Sequence, residues 1–239
     1  MPAKIGMERV LGQAFRNALG DRLVALAAYG SSVDDSWIPG FSDLDLAVFM
    51  HGVPSAADAV ATQRSLRDLD SGPFAYVQAK FVDVDEPPHQ AIVPGAFRVF
   101  WGAIPNVAYY LHDDQSLRSS GRGWLRALPD LVAEDNAAWS VAAGSARRQR
   151  LIRLLMTRLK PAVRAMLVEE GESPSVVWLA NWTELASLWG NYDPDAGEVL
   201  ASLLVALPPA NRAAELDCGE AILRLLERIV PRVRATSTG

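Results

Sequence analysis

Two short apolar runs, each joined to a small polar motif, constrain the fold of this chain more than any other feature. The run Leu23–Tyr29 ends at a glycine, and the run Leu44–Met50 is entered through Asp43 and contains Asp45. Short, fully apolar runs bounded by glycine and polar residues are typical of buried strands. Because positions i and i+2 of a strand share one face, we expect Asp43 and Asp45 to point the same way, with Leu44 pointing into a core.

The paired aspartates predict a metal site. Two carboxylates side by side on an apolar strand are costly unless a positive charge lies between them. Mg²⁺ prefers oxygen ligands from one or two carboxylates together with phosphate, and metal ions held in this way bridge phosphate oxygens during an in-line displacement. We therefore interpret Asp43 and Asp45 as Mg²⁺ ligands that act in catalysis.

The turn Gly30-Ser31-Ser32 follows the first apolar run. Glycine allows a sharp turn and the close approach of a ligand, and a serine that begins a short helix turns free N–H groups and its hydroxyl toward an anion. Eleven residues separate Ser31 from Asp43, enough for the two strands to lie side by side. Either motif alone is usually an ordinary turn or a solvated strand end, whereas the two in this order favour a nucleotide site.

The order strand, Gly-Ser, loop, Asp-x-Asp, strand resembles the signature of the nucleotidyltransferase superfamily related to DNA polymerase beta. The loop is most similar to that of the streptomycin and spectinomycin adenylyltransferases. The resemblance implies that Gly30 and Ser31 hold the phosphates of ATP, that Mg²⁺ is the cofactor, and that an acceptor hydroxyl attacks the α-phosphate and releases pyrophosphate. The matching positions are Tyr29, Gly30, Ser31, Asp34, Pro39, Ser42, Asp43, Asp45 and Leu46.

Members of this family usually carry a third carboxylate on a later strand, as a metal ligand or as the general base. The corresponding strand is predicted at Phe74–Val84. Its alternation turns Tyr76, Gln78 and Lys80 toward the metal face, and by register the matching position is Gln78. A glutamine neither binds Mg²⁺ strongly nor accepts the proton of a hydroxyl.

Three explanations remain open for the missing acid. A β-bulge could turn Asp83 to the metal face, although a solvated strand end is the simpler interpretation of that residue. The base could come from the helical part of the chain, where Asp130, Glu134 and Asp135 are available. In the third explanation the chain binds nucleotide and catalyses little or nothing.

Lys160 lies on a strongly basic predicted helix, 147–168. In the resembling enzymes a lysine or arginine of this helix often meets the triphosphate, which implies that role for Lys160. Most of the basic residues on this helix are expected to form a solvated face.

The chain changes character along its length, and we predict an α+β protein. Residues 1–115 form a nucleotidyltransferase-type domain, a small mixed sheet with flanking helices, and residues 120–239 form a helical bundle. The polar segment Asp113–Gly123 marks the boundary. Helices are predicted at 5–19, 55–69, 147–168, 175–189, 195–206 and 211–233, and strands at 23–29, 44–50, 74–84 and 97–101.

Composition narrows the choice of partners. A formal net charge of −5 gives no reason to expect nucleic acid or an anionic membrane. Cys218 is the single cysteine, so an intrachain disulfide and a thiolate zinc site are excluded. The amino-terminal residues lack the apolar run of a signal peptide and no segment is apolar enough to span a membrane, so we expect a cytoplasmic protein.

The leading hypothesis is a Mg²⁺-dependent enzyme that transfers AMP from ATP to a hydroxyl of a small molecule. The acidic balance of the chain suits a polycationic acceptor such as an aminoglycoside antibiotic, and antibiotic resistance would then be its role. The alternatives are a nucleotide-binding or regulatory protein with a degraded site, and an enzyme that adenylylates a protein partner, as some toxin–antitoxin nucleotidyltransferases do.

Overall fold

The chain folds as two units, Met1–His112 and Asp113–Gly239. The computed structural model describes residues 2–33, 37–38, 42–67, 74, 76–86, 90–92, 96–105, 109–111 and 113–236. The first unit holds a small mixed sheet with flanking helices, and the second unit is helical. The α+β class predicted from the sequence is therefore confirmed.

The first unit begins with a helix and then alternates strands with short helical segments. Both apolar runs form strands with the predicted bounds, since seven consecutive apolar or β-compatible residues leave little choice. The elements are α1 (Pro2–Leu19), a 3₁₀ turn (Gly20–Arg22), β1 (Leu23–Tyr29), a second 3₁₀ turn (Gly30–Ser32), β2 (Leu44–Met50), α2 (Ala56–Leu66), β3 (Val77–Asp83), β4 (Gln90–Ile92), β5 (Phe97–Gly102) and β6 (Tyr109–Leu111).

The main sheet has the strand order β3-β2-β1-β5, and β4 pairs with β6 in a separate sheet. Strand β1 is antiparallel to β2 and to β5, whereas β2 and β3 are parallel. Helix α2 lies between β2 and β3 in the chain and supplies the crossover that a parallel pair needs. Ser55 caps this helix in a reciprocal pair with Asp58, at the predicted start.

Strand β2 is apolar on both faces, which fixes its place inside the sheet. Leu44, Leu46, Val48 and Met50 are fully or almost fully buried in one cluster with α1 residues such as Phe15. On the opposite face a second buried cluster contains Ala47 and Phe49. The parity of the strand places Asp45 on that second face, next to apolar neighbours.

The second unit is a succession of helices. Five apolar residues recur at helical spacing along the predicted helix 147–168, and all of them are buried: Leu151, Leu155, Leu159, Ala162 and Met166. Among the described helices, none combines the length and hydropathy that a membrane crossing requires. The elements are α3 (Asp114–Ser140), α4 (Ser145–Arg153), a π-helical turn (Leu154–Leu159), α5 (Lys160–Glu169), α6 (Pro174–Leu179), α7 (Trp182–Tyr192), α8 (Pro194–Val205) and α9 (Arg212–Thr236).

Two helix starts in the second unit differ from the prediction, one at Asp113 and one at Asn181. The polar segment from Asp113 is the beginning of α3, because the Asp113 carboxylate accepts a hydrogen bond from the Ser116 N–H at 2.7 Å and caps the helix. The predicted helix 175–189 is two helices, α6 and α7. Asn181 begins the second one in a capping box with Glu184, a pattern that sequence alone displays.

Pro161 lies within the predicted helix 147–168, and a proline inside a helix typically kinks or breaks it. The chain instead stays helical from α4 to α5 and widens into the π-helical turn just before the proline. Because Pro161 has no N–H to donate to the carbonyl four residues earlier, the wider turn accommodates the lost hydrogen bond without a break.

The close approach of α7 and α8 gives a test of the second unit. A Cβ added at Gly197 would lie 2.5 Å from the Gly190 Cα and 2.9 Å from the Ala186 carbonyl oxygen. Gly197→Ala should therefore lower the free energy of unfolding by about 1–3 kcal/mol, since the backbone must move. The matched control is Gly123→Ala in α3, where nothing lies within 4 Å of an added Cβ.

In the control, alanine should raise the free energy of unfolding by about 0.5–1 kcal/mol through its better helix propensity. Urea denaturation measures both changes. Similar effects of the two substitutions would contradict the packing of α7 against α8.

Candidate functional site

The candidate site lies where β1 ends and β2 begins. Tyr29 is paired directly with Asp45 across the two strands. Gly30 follows with φ +69°, in the left-handed region that favours glycine. A Cβ at position 30 would lie 3.0 Å from the Asp45 Oδ2. Glycine therefore permits the turn and also leaves the space beside the Asp45 carboxylate open.

The two serines after this glycine are buried, with 4% and 5% of their surfaces exposed. The Ser32 Oγ donates to the Tyr29 carbonyl oxygen at 3.1 Å and stabilises the 3₁₀ turn. Within the described residues the Ser31 Oγ has no hydrogen-bond partner. A buried hydroxyl without a partner costs about 1–3 kcal/mol, and the phosphate of a bound nucleotide would provide the missing acceptor.

The backbone around Asp43 is fixed from both sides. Ser42 is fully buried, and its Oγ accepts from the Ile38 N–H at 2.9 Å while its own N–H donates to the Ile38 carbonyl oxygen. On the other side the Leu44 N–H donates to the Tyr76 carbonyl oxygen at 2.9 Å. These bonds hold Asp43 at the entrance to β2, on the same side as Asp45.

Burial and mutual repulsion dominate the electrostatics of the Asp43 and Asp45 pair. Burial, and then the charge of Asp43, raise the pKa of Asp45 to about 7. Burial, followed by the charges of Asp45 and Asp43, raises the pKa of Tyr29 to about 12. All of these causes disfavour further negative charge, and a divalent cation between the carboxylates would relieve them.

Tyr76 completes the acidic end of the sheet. The pKa of Tyr76 is raised by partial burial, by the charge of Asp43 and a side-chain hydrogen bond to it, and by the charge of Asp45. Strand alternation had placed Tyr76 on the metal face. The influence of Asp43 on Tyr76 could not be predicted, because alternation gives the face of a residue and not the reach of its side chain.

Gln78 occupies the position expected for the third acid of the family. It pairs with Asp45 in the parallel register, which continues without a shift to the pair Met50 and Asp83. A bulge therefore does not turn Asp83 to the metal face, and that alternative is wrong. The Asp83 carboxylate instead accepts from the backbone N–H of Gly52 at 2.9 Å, at the far end of the strand.

The second unit contains the remaining residues selected from the sequence. Lys160 is buried at the start of α5, with its Nζ 5.6 Å from the centre of the Trp182 ring, and its assignment to the nucleotide stays a prediction. Asp130 and Glu134 are exposed on α3. Asp135 is buried and accepts a hydrogen bond from Arg158 at 2.6 Å, which gives that carboxylate a structural partner.

Two positions of the family resemblance, Asp34 and Pro39, lie outside the described residues. The described part of the chain has no group of three or more His, Cys, Asp or Glu side chains arranged around a metal position. A cation at Asp43 and Asp45 would therefore complete its shell with phosphate oxygens and water, as Mg²⁺ commonly does.

Comparison with known proteins identifies the fold. Among solved structures the chain is similar to the spectinomycin adenyltransferase AAD(9) from Enterococcus faecialis, determined with ATP and spectinomycin. The match has a TM-score of 0.52 and 13% sequence identity, and covers 94% of this chain and 98% of that one. The chain has a nucleotidyltransferase fold. No family model and no curated protein matches the sequence.

This likeness confirms the fold that the resemblance of the Gly-Ser and Asp-x-Asp motifs implied. It extends over nearly the whole length of both chains, so the helical second unit is part of the shared architecture. At 13% identity it concerns the fold alone, and the roles assigned to Asp43, Asp45, Gly30, Ser31 and Ser32 stay predictions.

Asp45 should make the stability of the metal-free protein depend on pH. Its pKa of about 7 lies above the ordinary 3.8, so between these values the folded chain holds a proton that the unfolded chain has lost. This contribution to the free energy of unfolding is full below the lower value and declines as the pH rises through the higher one.

Asp45→Asn should abolish that decline. Between about pH 5 and pH 8 in EDTA, wild type should lose about 2 kcal/mol more than the variant, at about 1.4 kcal/mol per pKa unit with a discount for partial exposure. Urea denaturation at several pH values measures the difference. Parallel pH profiles of the two proteins would refute the raised pKa of Asp45.

Proposed function

We propose that this chain transfers AMP from ATP to a hydroxyl group of a small-molecule acceptor, with Mg²⁺ held by Asp43 and Asp45. The observation that carries the proposal is the carboxylate pair beside the Gly30 turn, where a Cβ would meet the Asp45 oxygen at 3.0 Å. The shared fold with an adenyltransferase determined with ATP and spectinomycin supports this reaction class.

The residues fit the metal ion. Asp43 and Asp45 supply carboxylate oxygens from one face of β2. The pKa of Asp45 is raised by burial and then by the charge of Asp43, and a cation would offset both causes. When bound, Mg²⁺ supplies positive charge that stabilises the phosphate oxygens during displacement. The charge of the cation would also lower the pKa of Asp45 again, so that both carboxylates are ionised in the loaded site.

The turn after β1 is proposed to hold the triphosphate. The N–H groups of Gly30, Ser31 and Ser32 begin a short helical turn, and the buried Ser31 hydroxyl is the group that gains a partner. Backbone N–H groups in such turns bind anions without any charged side chain. Lys160 is proposed as a further contact to the phosphates, on the family resemblance alone.

In the proposed reaction the acceptor oxygen forms a bond to the α-phosphorus of ATP. The bond from that phosphorus to the bridging oxygen breaks, and pyrophosphate leaves. The acceptor hydroxyl must lose its proton, which Gln78 cannot take. The proton is therefore proposed to pass to a carboxylate outside β3; Asp130 and Glu134 are exposed candidates on α3.

The acceptor is proposed to be a cationic small molecule of the aminoglycoside kind. The chain carries 28 acidic and 23 basic residues, and an acidic protein attracts a polycation over several ångströms. An antibiotic-resistance role follows from that acceptor. We propose that the protein acts in the cytoplasm, where ATP is available.

Gln78 favours a second candidate function, that of a protein which binds nucleotide and transfers it slowly or not at all. The position opposite Asp45 lacks the carboxylate that the family uses there. Loss of a general base typically lowers the rate of the reaction about 10²–10⁴-fold. Nucleotide binding does not need that base, so it would remain.

Asp43→Asn tests the metal–nucleotide site. We expect calorimetry to detect Mg²⁺-dependent ATP binding by wild type and none by the variant, since an amide replaces the anionic ligand. Asp21→Asn, at an exposed position in the 3₁₀ turn before β1, is the matched control and should bind as wild type does. Undiminished binding by Asp43→Asn would contradict the proposed role of the carboxylate pair.

Gln78→Glu distinguishes the two candidate functions. If residue 78 limits the reaction, the variant should release pyrophosphate from ATP with an aminoglycoside acceptor about 10²-fold faster or more than wild type. A fast wild type that Gln78→Glu does not improve would show that the base lies elsewhere. Pyrophosphate release over a panel of acceptors measures both rates.

A further inference from the structure

The second unit contains an open groove between α8 and α9. The groove encloses about 590 Å³, within the range of about 300–1,000 Å³ that is typical of sites for small molecules. Its floor is formed by Leu203 and Cys218, each 3% exposed. Small side chains line its walls at Ser202, Ala206 and Ala221, so the two helices leave the space between them unfilled.

The inside of the groove is apolar. Val199 on α8 lines it and remains 37% exposed. Burial, and then the charge of Asp217, raises the pKa of the Cys218 thiol, so the thiol stays protonated and behaves as a small apolar group. Because the removal of apolar surface from water is favourable, the groove suits the apolar body of a ligand.

The rim of the groove is negatively charged. Asp195 and Glu198 on α8 and Asp217 on α9 line it as exposed acidic residues. Arg228 is the basic residue among the described residues of the lining, and its guanidinium already donates to the Asp193 carboxylate at 3.1 Å. Since charges of one sign around a cleft with apolar walls focus their potential there, the rim attracts a cation.

We propose that this groove binds an organic cation with an apolar body, such as an arylalkylamine. The ammonium group lies among the carboxylates of the rim, and the apolar body contacts Val199 and Leu203. The volume favours a small molecule over a helix of a partner protein, whose apolar anchors are spread over two turns or more. The groove shares no residue with the proposed nucleotide site, so this inference goes beyond the proposed function and does not depend on it.

Three ligands with the same apolar body and different charges test the proposal. Near neutral pH, phenylbutylamine is a cation, phenylbutanol is neutral and phenylbutyrate is an anion. In titrations of the full chain followed by ligand-observed NMR, the amine should bind most tightly and the acid most weakly, because the rim attracts the first and repels the second. Absence of amine binding, or binding of the acid as tight as that of the amine, would overturn the proposal.

Two variants locate the binding in the groove. Ser202→Trp fills the groove from an exposed position, so it should abolish amine binding and leave the urea midpoint unchanged. Glu198→Gln removes one charge from the rim and should weaken amine binding about twofold to fivefold, the range of an exposed ion pair. It should leave the affinity for phenylbutanol unchanged.

Glu220→Gln is the matched control. Glu220 is an exposed acid on α9 that pairs with Arg224 and is not among the described residues of the lining. This variant should bind the amine as wild type does. Equal weakening of amine binding by Glu198→Gln and Glu220→Gln would reduce the effect to net charge and overturn the role of the rim.

Asp43→Asn separates this inference from the proposed function. The variant should keep wild-type affinity for the amine, whereas loss of amine binding in Asp43→Asn with full binding in Ser202→Trp would place the amine at the β2 site and overturn the proposal.

Sedimentation of the ligand-free protein tests whether a second copy of the chain covers the groove. Wild type and Ser202→Trp should have the same sedimentation coefficient. Self-association of wild type that Ser202→Trp removes would make the groove an interface between copies and overturn the proposal.

Discussion

The repulsion between two carboxylates on a buried strand is the constraint on which the rest of the site depends. Strand β2 is apolar on both faces, and burial, together with the nearby charge of Asp43, raises the pKa of Asp45 to about 7. The neighbouring features accommodate this negative charge. Gly30 keeps the space beside Asp45 open, and the hydrogen bonds between Ile38 and Ser42 stabilise the backbone at the entrance to β2.

The sheet creates this arrangement by bringing three chain segments to one edge. The antiparallel pairing of β1 and β2 places Tyr29 opposite Asp45, so the glycine turn must follow beside the carboxylates. The parallel pairing of β2 and β3 brings Gln78 to the other side of Asp45. The sheet thus brings three positions together, and among the described residues there Asp43 and Asp45 at the start of β2 are the acids.

The sequence predicted those parts of the structure that follow from strand parity. β1, β2 and the face of Gln78 could be predicted, because short apolar runs and alternation determine them. The start of α3 at Asp113 and the break before α7 at Asn181 were missed, since capping depends on single side chains whose polar surroundings resemble a loop. The effect of Asp43 on the pKa of Tyr76 was inaccessible to pattern analysis, because it depends on the path of the backbone and on one rotamer.

The most direct measurement is a crystal structure of the protein with Mg²⁺ and a non-hydrolysable ATP analogue. The account predicts the metal ion between Asp43 and Asp45, coordinated also by phosphate oxygens, with the triphosphate on the Gly30–Ser32 turn and the Ser31 hydroxyl bound to it. A nucleotide bound elsewhere in the chain, or a triphosphate at this turn without a metal ion on the two carboxylates, would contradict it.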